Sequence, residues 1–264
     1  MVNRQYASLV NFNTVVNLLF HLIIHLRSKI DYSLNCLLFP ILVQNTLMIL
    51  DILFPNRCIH CNRIIDPELL VCDLCFSQIY FTHYSYFENN PIKEKCSLFF
   101  PVENTFALLQ FEEESLSRQI IHELKYKGRE KAGKIIADWT TERLEFMNEK
   151  PDLLVSVPLH PKKLKERGYN QLHLFTETLA AFYDIPFDHQ LIKRNHYSKA
   201  QALKDKKHRL EAVNTFSITQ PVDGKHILLI DDVFTTGNTV SSVAWEILNA
   251  GNNKVSVLVM AMDV

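Results

Sequence analysis

Four short apolar runs lie in the later part of the chain, separated by longer and more polar segments. They are "TFALLQF" (105–111), "DLLVSVP" (152–158), "HILLI" (226–230) and "KVSVLVMAM" (254–262). Each run has the length of a strand and is apolar at nearly every position, which is typical of a parallel sheet that is buried on both faces. We expect these runs to be the strands of one such sheet.

Between these runs, apolar residues recur every three or four positions, which is the spacing of one face of a helix. They are Leu116, Ile120, Ile121 and Leu124; Ala132, Ile135, Ile136 and Trp139; and Leu172, Phe175, Leu179 and Phe182. Another helix is expected over residues 238–249, with Gly251 beyond its end. Strands that alternate with helices predict an α/β fold, a twisted and mainly parallel sheet with helices on both faces.

The first 47 residues are rich in Leu and Ile, but Asn, Gln, His and Asp interrupt them before a run of about 18 to 20 apolar residues is reached. Three interpretations stay open. The segment is an extension upstream of a natural start at Met48, a membrane-associated or partner-binding hairpin, or a set of extra helices that pack on the domain.

Residues 76–101 are aromatic and are interrupted by "NNP" and "FFP", which is typical of an irregular connector. The chain is thereby divided into four predicted parts. These are the apolar extension (1–47), a cysteine-bearing segment (48–82), a connector (83–101) and an α/β domain (102–264).

Four of the six cysteines form the pattern C-x2-C-x10-C-x2-C, as Cys58, Cys61, Cys72 and Cys75. Four thiolates in two such pairs complete a tetrahedron around Zn²⁺ and leave no open position for water, so we expect one structural zinc ion rather than a catalytic one. The thiols would stay reduced in a cytoplasmic protein. Cys36 and Cys96 are interpreted as packing residues.

The net charge of −1 gives no general preference for nucleic acid or membrane. Residues 160–209, however, hold 11 Lys plus Arg against 5 Asp plus Glu. That local excess of positive charge suits a phosphate-bearing ligand or nucleic acid, and it is also common on a solvated helix face.

Residues 226–240, "HILLIDDVFTTGNTV", place two acids and a hydroxyl-rich loop between a strand and a helix. Ligands of parallel sheets bind beyond the carboxyl ends of the strands, and backbone amides at a helix start favour an anion. The loop lacks the lysine of a Walker A motif, which disfavours nucleoside triphosphate hydrolysis. The residues expected to bind a phosphate are Thr235, Thr236, Gly237, Asn238 and Thr239. Asp231 and Asp232 are expected to bind sugar hydroxyls or Mg²⁺.

The apolar strand, the acid pair and "TTGNT" resemble the signature of type I phosphoribosyltransferases. A second segment, "VSVPLHPKKLKERGYNQLHLFTETLA" (155–180), resembles a motif of the ComF family, also called the GntX family. Its members are competence-associated proteins in which a cysteine knuckle precedes a phosphoribosyltransferase-like domain. "HELKYKGRE" (122–130) resembles the lysine-bearing segment of that family, and Ser198, Gln201, Arg209, Asn214 and Phe216 resemble a third motif.

The resemblance implies a type I phosphoribosyltransferase-like fold that binds phosphoribosyl pyrophosphate with Mg²⁺. Asp231, Asp232 and Arg167 would then be the catalytic residues. The basic segment would face pyrophosphate and adds Lys163, Gly168, Asn170 and Gln171 to the ligand-binding set. Asn170 is equally suited to be a helix N-cap. The family often carries eight knuckle cysteines, whereas this chain has four.

Two functions from different classes follow from the resemblance. In one, the protein transfers phosphoribose to an acceptor that the sequence does not identify. In the other, it is a DNA-uptake factor without catalysis, which binds single-stranded DNA or proteins of the competence machinery, and its phosphoribosyl site is regulatory or vestigial. Membrane association is expected only if residues 1–47 belong to the native protein.

Overall fold

The computed structural model describes residues 55–112, 114–125, 131–147, 149–195 and 215–263. The expectations for residues 1–47, Met48, Ser198, Gln201, Arg209 and Asn214 fall outside these ranges. Residues Arg57–Val264 form one compact unit. None of the helices in the described ranges is long and apolar enough to span a membrane.

The elements follow one another in a mainly alternating order of strands and helices. The strands are β1 (Thr105–Phe111), β2 (Leu153–Ser156), β3 (Ile192–Arg194), β4 (Phe216–Ile218), β5 (His226–Phe234) and β6 (Lys254–Asp263). The helices are α1 (Asp73–Phe76), α2 (Pro91–Ser97), α3 (Leu116–Glu123), α4 (Lys131–Thr141), α5 (Pro161–Arg167), α6 (Gln171–Tyr183) and α7 (Asn238–Asn249).

Four strands form one sheet in the order β1-β6-β5-β2, and every neighbouring pair is parallel. Ser156 at the end of β2 is level with Ile230 of β5, so β5 continues beyond its neighbour. The residues of β6 from Val255 to Met262 are all buried, which shows that both faces of this central strand are covered. The α/β class with a parallel sheet, predicted from the four apolar runs, is confirmed.

Helices from several parts of the sequence pack on the sheet. Helix α6 packs on β2 and β5, α7 packs on β5 and β6, and α3 packs on β1 and β6. Helix α4 packs on α6 as an outer layer. The short pair β3 and β4 forms a separate antiparallel ribbon.

Three details differ from the sequence predictions. Helix α2 begins at Pro91 within the predicted connector, because the Asn90 side chain accepts hydrogen bonds from the N–H groups of Ile92 and Lys93. Strand β5 extends to Phe234 instead of ending before the acid pair. The prediction that Phe182 is buried is wrong: its side chain is 63% exposed, and Tyr183 completes the buried stripe of α6.

Candidate functional site

The four cysteines of the predicted zinc site lie together. Their sulfur atoms are all within 4.8 Å of one another, and the Sγ atoms of Cys61 and Cys72 are 3.6 Å apart. A zinc–sulfur bond of about 2.3 Å in tetrahedral geometry requires sulfur atoms about 3.8 Å apart, so the cluster fits Zn²⁺. His60 is not in the cluster, and its Nδ1 contacts Oε1 of Gln119 at 3.0 Å.

The electrostatics at Cys58 also favour a metal ligand. Burial raises the pKa of the Cys58 thiol, but hydrogen bonds from the backbone of Cys61, Cys72 and His60 outweigh burial and lower that pKa below its usual value. A lowered thiol pKa favours the thiolate, which is the form that binds zinc.

The cysteine cluster is attached to the α/β domain by aromatic rings. Phe76 at the end of α1 contacts Trp139 of α4 and Phe81, with ring centroids 5.4 and 5.6 Å away. The Arg143 guanidinium lies 3.9 Å above the ring of Phe81. Backbone hydrogen bonds from Thr82 to Leu108 and from Gln110 to Tyr80 join the following segment to the edge strand β1.

A second site lies where β2 and β5 end. A cavity of about 200 Å³ opens there, next to the start of α7. Its polar lining residues are Lys125, His160, Lys163, Arg167, Gln171, Arg194, Asp231, Asp232 and Thr239. Two acids thus share one cavity with four side chains that are cationic at neutral pH.

The acid pair belongs to the extended end of β5. Asp231 is buried at 8% exposure, and its Oδ1 accepts a hydrogen bond from the N–H of Asp232 at 2.9 Å. Oδ1 of Asp232 accepts from the N–H of Val233 at 2.8 Å, and its Oδ2 accepts from Nε2 of Gln171 at 2.8 Å. Burial and the Asp232 charge raise the pKa of Asp231 well above its usual range, although the charges of Arg194 and Lys125 oppose them.

The cations come from three places in the fold. Lys163 and Arg167 belong to α5, which begins at Pro161 after the His160 side chain caps the N–H of Lys162. The basic segment forms a two-turn helix, which ends at Gly168 because this glycine has φ = 83°.

Lys125 and Arg194 reach the same cavity from elsewhere in the chain. Lys125 lies two residues after α3, and the carbonyl of the intervening Leu124 accepts a 2.5 Å hydrogen bond from the Tyr169 hydroxyl. Arg194 ends β3 and lies over the ring of Phe216 at 5.1 Å. The sequence prediction did not include either residue, although the lysine-bearing segment and the basic excess over residues 160–209 contain them.

The loop after β5 turns sharply at Gly237. Its φ is 77°, and a Cβ atom there would lie 3.0 Å from Cζ of Phe234, so this turn requires glycine. Thr239 lines the cavity, whereas Thr235, Thr236 and Asn238 are exposed and do not line it. The loop therefore lies at the entrance of the cavity.

Three residues of the predicted ligand-binding set have a structural role in the fold. Asn170 caps α6 by accepting from the N–H of Leu172 at 3.1 Å, as its N-cap interpretation predicts. Gly168 supplies the left-handed turn after α5. Gln171 is 3% exposed and donates to Asp232, so it lies behind the acid pair in the wall of the cavity.

Sequence comparison shows which known proteins this chain is similar to. Residues 49–86 match the family model described as double zinc ribbon domain. The chain is 30% identical over 146 residues to the DNA utilization protein YhgH of Escherichia coli K12, which covers 52% of this chain and 63% of that protein. It is 31% identical over 138 residues to the competence protein ComFC of Bacillus subtilis, with 52% and 55% covered.

The resemblance to the ComF family is confirmed. The competence protein F of Haemophilus influenzae is a third relative, 30% identical over 111 residues, which covers 40% of this chain and 48% of that protein. The chain spans 63% or less of the length of these curated relatives. The family model is that of a double ribbon, whereas the described residues of this ComF-like chain hold one four-cysteine cluster, a structural zinc site.

Solved structures similar to this ComF-like chain include phosphoribosyltransferases. The adenine phosphoribosyltransferase of Leishmania tarentolae is 16% identical, covers 59% of this chain and 91% of its own, and has a TM-score of 0.33. The enzyme of Leishmania donovani has the same identity and TM-score over 75% of this chain and 82% of its own. The fold of the ComF-like domain is assigned from its own strand order and register, together with the ribbon that precedes it.

Zinc content tests the first site. The full chain is expected to bind about one zinc ion, and the double variant Cys58→Ser/Cys61→Ser is expected to bind none, because two of four ligands are lost. Elemental analysis after dialysis measures this. Cys96→Ala is the matched control, since Cys96 is buried in the core away from the cluster and its loss should leave the zinc content unchanged.

The pH dependence of stability tests the buried acid. Because the pKa of Asp231 is raised in the folded protein, the folded state keeps a proton that the unfolded state loses as pH rises from about 4. Stability contributed at low pH is therefore lost as pH rises through the folded pKa. Asp231→Asn should abolish this loss. Between about pH 5 and pH 8, its free energy of unfolding should therefore rise by about 1 kcal/mol or more relative to that of wild type.

Urea unfolding at the two pH values measures this difference. Asp138→Asn, on the surface of α4, is the control and should keep the wild-type pH dependence. Parallel pH profiles for wild type and Asp231→Asn would contradict the raised pKa.

Proposed function

We propose that this protein binds phosphoribosyl pyrophosphate with Mg²⁺ in the cavity where β2 and β5 end. The observation that carries the proposal is the meeting of Asp231 and Asp232 with Lys125, Lys163, Arg167 and Arg194 around one cavity, beside the Gly237 turn. An acid pair alone suits sugar hydroxyls or a cation, and a ring of cations alone suits an anion. A ligand with hydroxyls, phosphates and a bound metal uses both.

Each part of the ligand has matching chemistry in the site. The loop from Thr235 to Thr239 offers hydroxyl groups and backbone amides at the start of α7 to the 5′-phosphate. Asp231 and Asp232 accept hydrogen bonds from the ribose hydroxyls. Arg167, with Lys163, neutralises the pyrophosphate, and Lys125 and Arg194 add to that charge.

The size of the cavity agrees with this assignment of the 5′-phosphate, the ribose and the pyrophosphate to different parts of the site. Its volume of about 200 Å³ is below the range of about 300–1,000 Å³ that is usual for a pocket enclosing a whole ligand. The exposed residues of the Gly237 turn would hold the 5′-phosphate outside the cavity, so that the cavity needs room only for the ribose and pyrophosphate.

The proposed reaction is transfer of phosphoribose to an acceptor nucleophile. The bond from C1′ to the pyrophosphate oxygen breaks and leaves its electron pair on pyrophosphate, while the acceptor forms a new bond to C1′. Mg²⁺ would supply further neutralisation of the leaving group. The cationic side chains stabilise the charge that develops on pyrophosphate, and the acids fix the position of the ribose.

Ligand binding tests this proposal. Calorimetry should show heat when the full chain is titrated with phosphoribosyl pyrophosphate and Mg²⁺. The double variant Asp231→Asn/Asp232→Asn should bind at least about tenfold more weakly, because hydrogen bonds to charged groups contribute about 1.5–3 kcal/mol. Asp138→Asn should bind as wild type does. The absence of heat with wild type, or equal affinities for wild type and the double variant, would refute the site.

A second candidate function is that of a cytoplasmic protein that binds single-stranded DNA during DNA uptake. The names of the relatives, competence protein and DNA utilization protein, favour it. The zinc ribbon and the segment after it supply a surface for it, since Ile64, Leu74 and Tyr80 are each about 60% exposed. Of these three, the aromatic ring of Tyr80 is the one that can stack on a base.

Fluorescence anisotropy with a labelled single-stranded oligonucleotide tests this second function. Tyr80→Ala is expected to weaken binding about tenfold, because stacking on one base contributes about 1–3 kcal/mol. Tyr84→Ala, an aromatic change outside that exposed set, is the control. Full DNA binding by Tyr80→Ala would argue against a ribbon-based DNA surface, whatever the outcome for phosphoribosyl pyrophosphate.

A further inference from the structure

Gln171 is the first residue of α6, and its amide joins the two oppositely charged halves of the cavity. Its Oε1 accepts a hydrogen bond from Nη1 of Arg167 at 2.8 Å, and its Nε2 donates one to Oδ2 of Asp232 at 2.8 Å. The side chain is 3% exposed, so water does not compete for these contacts.

The two partners fix the orientation of this amide. A guanidinium has only donors, and an ionised carboxylate has only acceptors. The amide oxygen must therefore face Arg167, and the amide nitrogen must face Asp232. Among the natural side chains of this length, an ionised glutamate offers no donor to Asp232, and methionine offers no donor to Asp232 and only a weak acceptor to Arg167.

The elements on both sides of Gln171 are also fixed. Gly168 gives the turn after Arg167 its left-handed conformation, and Asn170 caps α6 and donates to the carbonyl of Val157 in the cavity wall. Asp232 is held by the N–H of Val233 in addition to Gln171. The amide thus bridges two charged groups whose neighbouring backbone is held by hydrogen bonds.

No ion pair joins Arg167 to Asp232 among the described residues, although both line the same cavity. Opposite charges that line one partly buried cavity attract each other. A direct contact would neutralise both groups and would use up the donors and acceptors that a ligand needs. The amide of Gln171 satisfies each group with a neutral partner instead.

We propose that Gln171 is a positioning residue that holds Arg167 and Asp232 apart and so keeps both charges available to a ligand. The inference rests on the proposed function for its ligand, but the spacing itself is a property of the free protein. It assigns Gln171 a role through its two neighbours rather than through contact with phosphoribosyl pyrophosphate.

The ligand-free structure of Gln171→Met tests the spacing directly. We expect the Arg167 guanidinium to move into contact with the Asp232 carboxylate, within about 4 Å, because nothing polar separates them. A guanidinium that stays in its wild-type position, without contact to Asp232, would overturn the proposal. This readout does not depend on any ligand.

Binding of inorganic pyrophosphate, measured by calorimetry, tests the consequence for the cationic half. Gln171→Met is expected to bind pyrophosphate about tenfold more weakly than wild type, because the loss of a charged hydrogen bond to the ligand is of that order. Gln110→Met is the matched control, since Gln110 also donates to an acid, Glu112, but lies on β1 away from the cavity. It should bind pyrophosphate as wild type does.

The variant Gln171→Glu separates positioning from a merely structural role. At about pH 8 its carboxylate would accept from Arg167 but repel Asp232, and pyrophosphate affinity should fall about tenfold relative to wild type. When protonated at about pH 5, the new carboxyl group has one donor and one acceptor, as the amide does. Its affinity should then return to within about twofold of the wild type measured at the same pH.

These outcomes distinguish the two proposals. If wild type binds no pyrophosphate and no phosphoribosyl pyrophosphate, the proposed function fails, and the Gln171→Met structure still decides the spacing. If wild type binds and Gln171→Glu has the same affinity relative to wild type at both pH values, the positioning role fails and the proposed function stands. Should Gln171→Met not fold, the structure of Gln171→Glu at about pH 8 replaces it, and its new carboxylate is expected to lose the contact with Asp232.

Discussion

Two adjacent carboxylates at the end of a buried strand are the constraint on which the rest of this structure depends. Like charges on neighbouring residues repel, and burial removes the water that would screen them. Strand β5 extends past β2 and carries Asp231 and Asp232 into the cavity, where a neutral partner and several cations surround them. Without those surroundings the acid pair would only destabilise the fold.

The surrounding elements are arranged to bring positive charge to this point. A short helix, α5, presents basic residues, and the turn that follows it returns the chain to the sheet through the cap at Asn170. The Tyr169 hydroxyl holds the end of α3, which places Lys125 at the same opening. Residues distant in the chain thus meet because loops and caps fix where each helix starts and stops.

Much of this architecture could be predicted from the sequence, because its main signals are local. The four strands and the helix over residues 238–249 follow from apolar periodicity, and the zinc site follows from cysteine spacing. Other features could not be predicted from local signals. The position of Arg194 is one, since only tertiary packing brings the end of β3 to the cavity. Phe182 shows a second limit. The helical spacing is satisfied equally well by Phe182 and by its neighbour Tyr183, and only Tyr183 is buried. The segment "RGYNQ" shows a third limit of prediction, because Gly168 forms a turn and Asn170 caps a helix. Small polar residues serve backbone geometry and ligands with the same atoms, and only their hydrogen-bond partners in the folded chain separate the two uses.

The aromatic seam between the zinc ribbon and α4 gives the molecule a natural optical probe. The chain has two tryptophans. Trp139 is buried in that seam against Phe76 and Phe81, whereas Trp245 lies on α7 and donates its indole N–H to the carbonyl of Phe99. The emission of Trp139 therefore reports on the joint between the ribbon and the domain, and that of Trp245 reports on the helix that follows the Gly237 turn, without any label.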